Sequence, residues 1–152
     1  MRPNARYAVL VVEDDPNHSL LISSAFARGA PGANVHLAER AEEAISHLLA
    51  LKEASEPGPP ALPDVIVLDM TMPGMGGIGF LQWLELQAEW ARDIPVIVFT
   101  SSTDPDLARR CFSLGAREFK EKPADFAELV ELVGSVVQRW RPQQEGGQGL
   151  PR

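Results

Sequence analysis

Glu13 and Asp14 follow the apolar run VLVV, and Asp69 follows the apolar run VIVL. Each acid comes after a short β-type run and before Pro or Gly signals, so each falls at the carboxyl end of a strand. If the two strands are parallel neighbours in one sheet, the three carboxylates meet in the crevice where open α/β sheets place their ligands. Carboxylates so close repel one another unless a cation sits between them, and the pattern therefore asks for a metal ion. Thr100 and Lys122 fall at the ends of two later apolar or short strands and would share the same edge. Hard carboxylate oxygens select a divalent ion such as Mg2+. A carboxylate can act as nucleophile toward phosphorus, and a hydroxyl and an ammonium would hold the remaining phosphoryl oxygens. Together the residue types suit transfer of a phosphoryl group onto a carboxylate, with the ion neutralising charge on both sides.

These residues need a frame that brings distant segments to one edge. Residues 7–12 form a run apolar on both faces, as in a central parallel strand. Pro16 then opens a helix carrying Leu20, Leu21, Ala25 and Phe26 at helical spacing, closed by the glycine and proline signals of 28–32. A weak strand at 34–38 and a helix at about 41–52 follow. The segment SEPGPPALP holds four prolines and reads as a surface loop, not a domain boundary. Residues 64–68 are the second fully apolar strand, and a glycine-rich loop leads into a helix expected over 78–91. A strand at 94–99, a helix opening at Asp104-Pro105 and ending at Gly115, a short strand at 117–119 and a helix at 125–141 complete the pattern. Five alternations of strand and helix predict a doubly wound parallel sheet with helices on both faces. The expected organisation is a lead at 1–6, one domain over 7–141 and a disordered tail at 142–152.

Composition narrows the function classes. The 152 residues carry a net charge of -7, the wrong sign for a nucleic-acid footprint, and Arg109 with Arg110 is the one compact basic cluster. A single cysteine, Cys111, excludes an internal disulfide and fits a reducing, cytoplasmic setting. No apolar stretch approaches the roughly 20 residues of a membrane span.

VLVVEDDP, PDVIVLDMTMPGMGG, IPVIVFTSS and FKEKP resemble the signature segments of the response-regulator receiver domain, the phosphorylated half of two-component signalling. The resemblance runs from Tyr7 to Trp140. It implies a flavodoxin-like, five-stranded sheet in the order 2-1-3-4-5, as in the chemotaxis regulator of this family. It further implies Asp69 as phospho-acceptor, with Glu13 and Asp14 as metal-site acids: Asp14 binds the ion directly, Glu13 acts through water, and Thr71 offers its backbone carbonyl. The ion would be Mg2+. Thr100 is the hydroxyl that moves toward the phosphoryl group, Lys122 is the phosphate-contacting lysine, and Phe119 stands where the family has its switching aromatic. The implied partner is a histidine kinase or a phosphotransfer protein. The long loop before the third strand and the Trp-tipped last helix look like stand-alone regulators paired with phytochrome-type kinases. With nothing after Arg141 large enough for an output domain, output is expected through binding a partner or passing the phosphoryl group onward.

Several alternatives stay open on the sequence. The acid pair also reads as Asp14 with Asp15, because strand alternation does not decide between them; Asp15 otherwise reads as a solvated acid in the first helical turn. His18, His36 and His47 have no metal spacing and read as surface positions. Cys111 reads as a small buried hydrophobe. In the last helix Leu132 and Val136 widen the apolar stripe beyond one core face, which suggests a homodimer or partner contact. A metal-dependent phosphohydrolase with an aspartyl nucleophile is the enzymatic rival, but it needs a second acid where Thr71 stands, so no turnover of outside substrates is expected. A receiver-like scaffold that is never phosphorylated is the remaining rival.

Overall fold

The computed structural model describes residues 7–55, 57–58, 61–70, 72, 74–87, 89–102 and 104–141. The expected lead, the expected tail and Thr71 lie outside the described residues. Strands β1 (Ala8–Val12), β2 (Asn34–Ala38), β3 (Val65–Leu68), β4 (Val96–Thr100) and β5 (Glu118–Glu121) alternate with helices α1 (Pro16–Gly29), α2 (Ala41–Ser55), α3 (Gly76–Leu86), α4 (Pro105–Ser113) and α5 (Phe126–Arg139). All neighbouring strands pair in parallel, in the order β2-β1-β3-β4-β5. This is the doubly wound, flavodoxin-like sheet expected from the alternation and the resemblance.

The central strands are apolar throughout because both their faces are covered. Leu10, Val12, Ile66, Leu68, Val96 and Val98 turn to one side, with Leu48 of α2, Phe80 of α3 and Cys111 of α4. Val9, Val11, Val65, Val67, Ile97 and Phe99 turn to the other, with Phe26 of α1 and Val133 of α5. Burying one such leucine or phenylalanine contributes about 1.5–3 kcal/mol, so two cores fix the strands that carry the acids. The edge strand β5 is held less by burial than by a clamp from α5. Arg139 donates to both carboxylate oxygens of Glu118, at 2.7 and 2.6 Å, and Trp140 Nε1 donates to Glu118 at 2.7 Å.

Two expectations change in the structure. The helix expected over 78–91 begins earlier, at Gly76, and ends at Leu86, where Gln87 turns extended and its amide caps Leu84. The break lets Trp90 return to meet Trp83 edge-on, with ring centroids 6.1 Å apart; a continuous helix would have carried it about 10.5 Å along the axis. Ala91 is then buried in the core. The wide apolar stripe of α5 is also covered in part within the chain. Val136 is fully buried, and Leu132 packs against the same core as Val133.

Close approach of α1 and α5 depends on two glycines. A Cβ on Gly29 would lie 2.5 Å from the Val130 carbonyl oxygen, and one on Gly134 would lie 3.1 Å from the Gly29 carbonyl oxygen. Backbone cannot give way as a flexible side chain can, so Gly29→Ala is expected to lower unfolding free energy by about 1–3 kcal/mol. Chemical denaturation checks this, and an unchanged midpoint would show that the helices separate freely.

Candidate functional site

Three backbone hydrogen bonds just beyond the strands set the site. Glu13 N donates to Ala38 O at 3.0 Å, Asp69 N to Val12 O at 3.0 Å and Lys122 N to Thr100 O at 2.8 Å. The sheet ladder thus runs up to the functional residues and aligns their side chains at one edge.

Glu13, Asp14 and Asp69 each bring a carboxylate oxygen to within 4.8 Å of the others. Glu13 and Asp69 are buried, whereas Asp14 is exposed. Lys122 Nζ bridges the buried pair, 2.8 Å from Glu13 Oε1 and 3.5 Å from Asp69 Oδ1. Burial pushes the Glu13 carboxyl above its ordinary range; the Lys122 hydrogen bond opposes this, and the Asp69 charge adds to it. A group of three hard oxygen donors, two of them desolvated, fits a divalent ion that retains some of its waters.

Asp15 has a different task. It is the N-cap of α1, its carboxylate accepting from Asn17 N at 2.9 Å and His18 N at 3.4 Å, and its own amide donates to Glu13 Oε2 at 3.2 Å. The Asn17 hydrogen bond holds its carboxyl below the usual range. The acid group therefore contains Glu13 with Asp14, and Asp15 is engaged in capping instead of lying within the first helical turn. Gly77 admits the start of α3 beside this region: a Cβ there would lie 2.6 Å from Met70 Sδ and 2.9 Å from Asp69 O.

Thr100 is fully buried at the end of β4, and its Oγ1 accepts from Ser102 N at 3.1 Å. That bond occupies a lone pair and leaves the hydroxyl proton available as a donor. Phe119 lies outside the acid group. It pairs in register with Val98 and is half-buried against the core shared with Leu107 and Leu114.

One site neighbour was not singled out by type or spacing. His18, third residue of α1, places Nδ1 2.9 Å from Lys122 Nζ and 3.9 Å from Glu13 Oε2. The available signal was its position: a first-turn side chain on a helix that starts directly after the acids overhangs the crevice. His36 and His47 instead stack on each other with ring centroids 3.7 Å apart.

Fold and crevice together define a receiver-type α/β domain. Residues 9–134 match the model of the response regulator receiver domain, and the chain belongs to this family, the receiver domain of two-component response regulators. It is 30% identical over 134 residues to the probable methanogenesis regulatory protein FilR2 of Methanothrix harundinacea, covering 88% of this chain and 83% of that protein. Of longer DNA-binding transcriptional regulators that it also matches, it spans 17% to 27%. The phosphorylated cyanobacterial phytochrome response regulator RcpA superposes with a TM-score of 0.76 at 24% identity, over 90% of this chain and 94% of that one. The Mn2+-bound response regulator Rcp1 gives a TM-score of 0.69 at 22% identity, over 88% and 94%. Among the described residues, no helix is long and apolar enough to cross a membrane.

Proposed function

We propose that the protein is a phosphorylatable signalling switch in which Asp69 accepts a phosphoryl group from a histidine kinase or phosphotransfer protein. The observation that carries this reading is the convergence of Lys122 on Asp69, at 3.5 Å, within a group of three carboxylates. Asp14 and Asp69 would hold Mg2+ directly and Glu13 through water, with the Thr71 carbonyl as a further protein donor; the Mn2+-bound relative Rcp1 supports a divalent ion here. When bound, the ion neutralises charge on the acids and the incoming phosphoryl oxygens.

An Asp69 carboxylate oxygen attacks phosphorus, an O–P bond forms, and the donor's N–P bond breaks with its electron pair leaving on the imidazole, which takes a proton from solvent. Lys122 turns one N–H from Glu13 to a phosphoryl oxygen. Thr100 donates its free hydroxyl proton to another, and the inward shift alters the packing of Phe119 and so the face of α4, β5 and α5. Because Phe119 lacks a hydroxyl, output rests on its packing and not on a hydrogen bond.

Residues 7–141 form the receiver, acting in the cytoplasm, and a phytochrome-type kinase is the proposed donor on the likeness to RcpA. Turnover of outside phosphoesters is not part of this reading, since Thr71 stands where a phosphohydrolase would need its second acid. Partner binding is proposed as the output. A homodimer or partner contact through α5 stays within this reading: Val136 packs inside the chain, while Leu132 is only half-buried.

Incubation with a small acyl phosphate and Mg2+ is expected to give a base-labile phosphoprotein, and chelation of the ion is expected to prevent it. Protein that stays unlabelled with every donor at saturating Mg2+ would leave the scaffold reading in its place.

A further inference from the structure

Phosphoryl transfer as proposed uses two of the three groups around the Lys122 ammonium. The third is His18 Nδ1, at 2.9 Å. An ammonium has three donors and no lone pair, so this short contact makes Nδ1 the acceptor and puts the ring proton on Nε2. Nε2 lies 3.8 Å from Asp15 Oδ2, which favours a proton there. Asp15 is itself fixed as the cap of α1, so its carboxylate stays beside the Nε2 side of the ring.

A cleft of about 250 Å³ opens beside Lys122, between α1 and the turn after β5. Apart from His18 and Lys122, the side chains that line it are apolar, among them Leu21, Phe99, Pro123 and Leu129. If Glu13 is engaged by the ion, Lys122 loses its shortest partner. Its flexible stem could then swing along this cleft, where His18 offers the one side-chain acceptor among the described residues.

We propose that His18 is a positioning residue: it accepts a hydrogen bond from Lys122 and keeps the ammonium over Asp69 when Glu13 turns to the metal. This rests on Asp69 being the phosphoryl acceptor. A neutral acceptor suits the task, because it orients the ammonium without adding a fourth negative charge.

The test compares His18→Leu, which removes the acceptor, with His18→Asn, whose side-chain oxygen stands close to where Nδ1 was. Phosphorylation by a small acyl phosphate at pH 8 and saturating Mg2+ is expected to slow about tenfold in His18→Leu. His18→Asn should stay within about threefold of the native rate. In a Lys122→Ala background, His18→Leu should add no further loss. In the metal-free protein, nitrogen NMR should show His18 protonated on Nε2, with a Nδ1 signal that moves on Lys122→Ala. A native rate in His18→Leu, or the same loss with Lys122 already removed, overturns the proposal. Should the native protein take no phosphoryl group, the acceptor reading fails; the metal-free NMR coupling then decides alone whether His18 positions Lys122.

Discussion

Asp69→Asn is expected to reduce phosphoryl incorporation to background, at least about 10³-fold, while the protein stays folded. The substitution keeps the shape of the side chain and removes the nucleophilic oxygen pair, and loss of a nucleophile acts on that scale or beyond. Stability should hold because the carboxylate contributes mixed electrostatics. Asp69 is buried, 3.5 Å from Lys122, yet its charge also helps to push the Glu13 carboxyl upward. An amide removes the repulsion, and Lys122 keeps its shorter, 2.8 Å contact with Glu13. Unfolding free energy should therefore change by no more than about 1 kcal/mol. Intact-protein mass after incubation with an acyl phosphate reads the first quantity, and chemical denaturation reads the second. Persistent labelling would move the acceptor to Asp14, the exposed acid of the group.

The sequence carries the site wherever its residues sit at the ends of buried strands, because a two-sided core forces an apolar run and the polar residue that ends it marks the edge of the sheet. Glu13, Asp69 and Thr100 were legible for that reason. Asp15 was ambiguous because an acid at a strand end and an acid capping a helix look alike until the amides of Asn17 and His18 are placed. The end of α3 is not legible because the gain from returning Trp90 to Trp83 is tertiary, while the helical periodicity simply continues past Leu86. His18 was invisible as a partner of Lys122, which lies 104 residues away in the chain and meets it only after β5 has paired with β4. The apolar width of α5 suggests a second molecule; Val136 is taken up by the core, while Leu132 packs on that core and is only half-buried, a distinction that residue types alone do not carry.

Glu13→Gln is expected to separate a metal-site acid from a mere counterion of Lys122. The folded protein holds the Glu13 carboxyl above its ordinary value of about 4.5, chiefly through burial, with Asp69 adding and Lys122 opposing. A carboxyl raised on folding binds more protons in the native than in the unfolded state between the two values, so stability falls as pH rises through that interval. Its contribution is fully present below the unfolded value and lost as pH passes the folded one. With the ion chelated, native stability relative to Glu13→Gln should therefore decline from acid toward neutral pH, leaving the variant ahead by on the order of 1 kcal/mol. Divalent ion should reverse the order at neutral pH, because an ion that binds only the folded state stabilises it by about 2.7 kcal/mol at a hundred times its dissociation constant. The glutamine variant binds more weakly and should gain less. If Glu13 served only to neutralise Lys122, the variant would be the less stable protein at neutral pH even with the ion chelated, and would gain as much from the ion as the native protein. Denaturation at several pH values, with chelator and with Mg2+, distinguishes the two. The crossing of the curves is the signature of a buried acid kept charged for a cation.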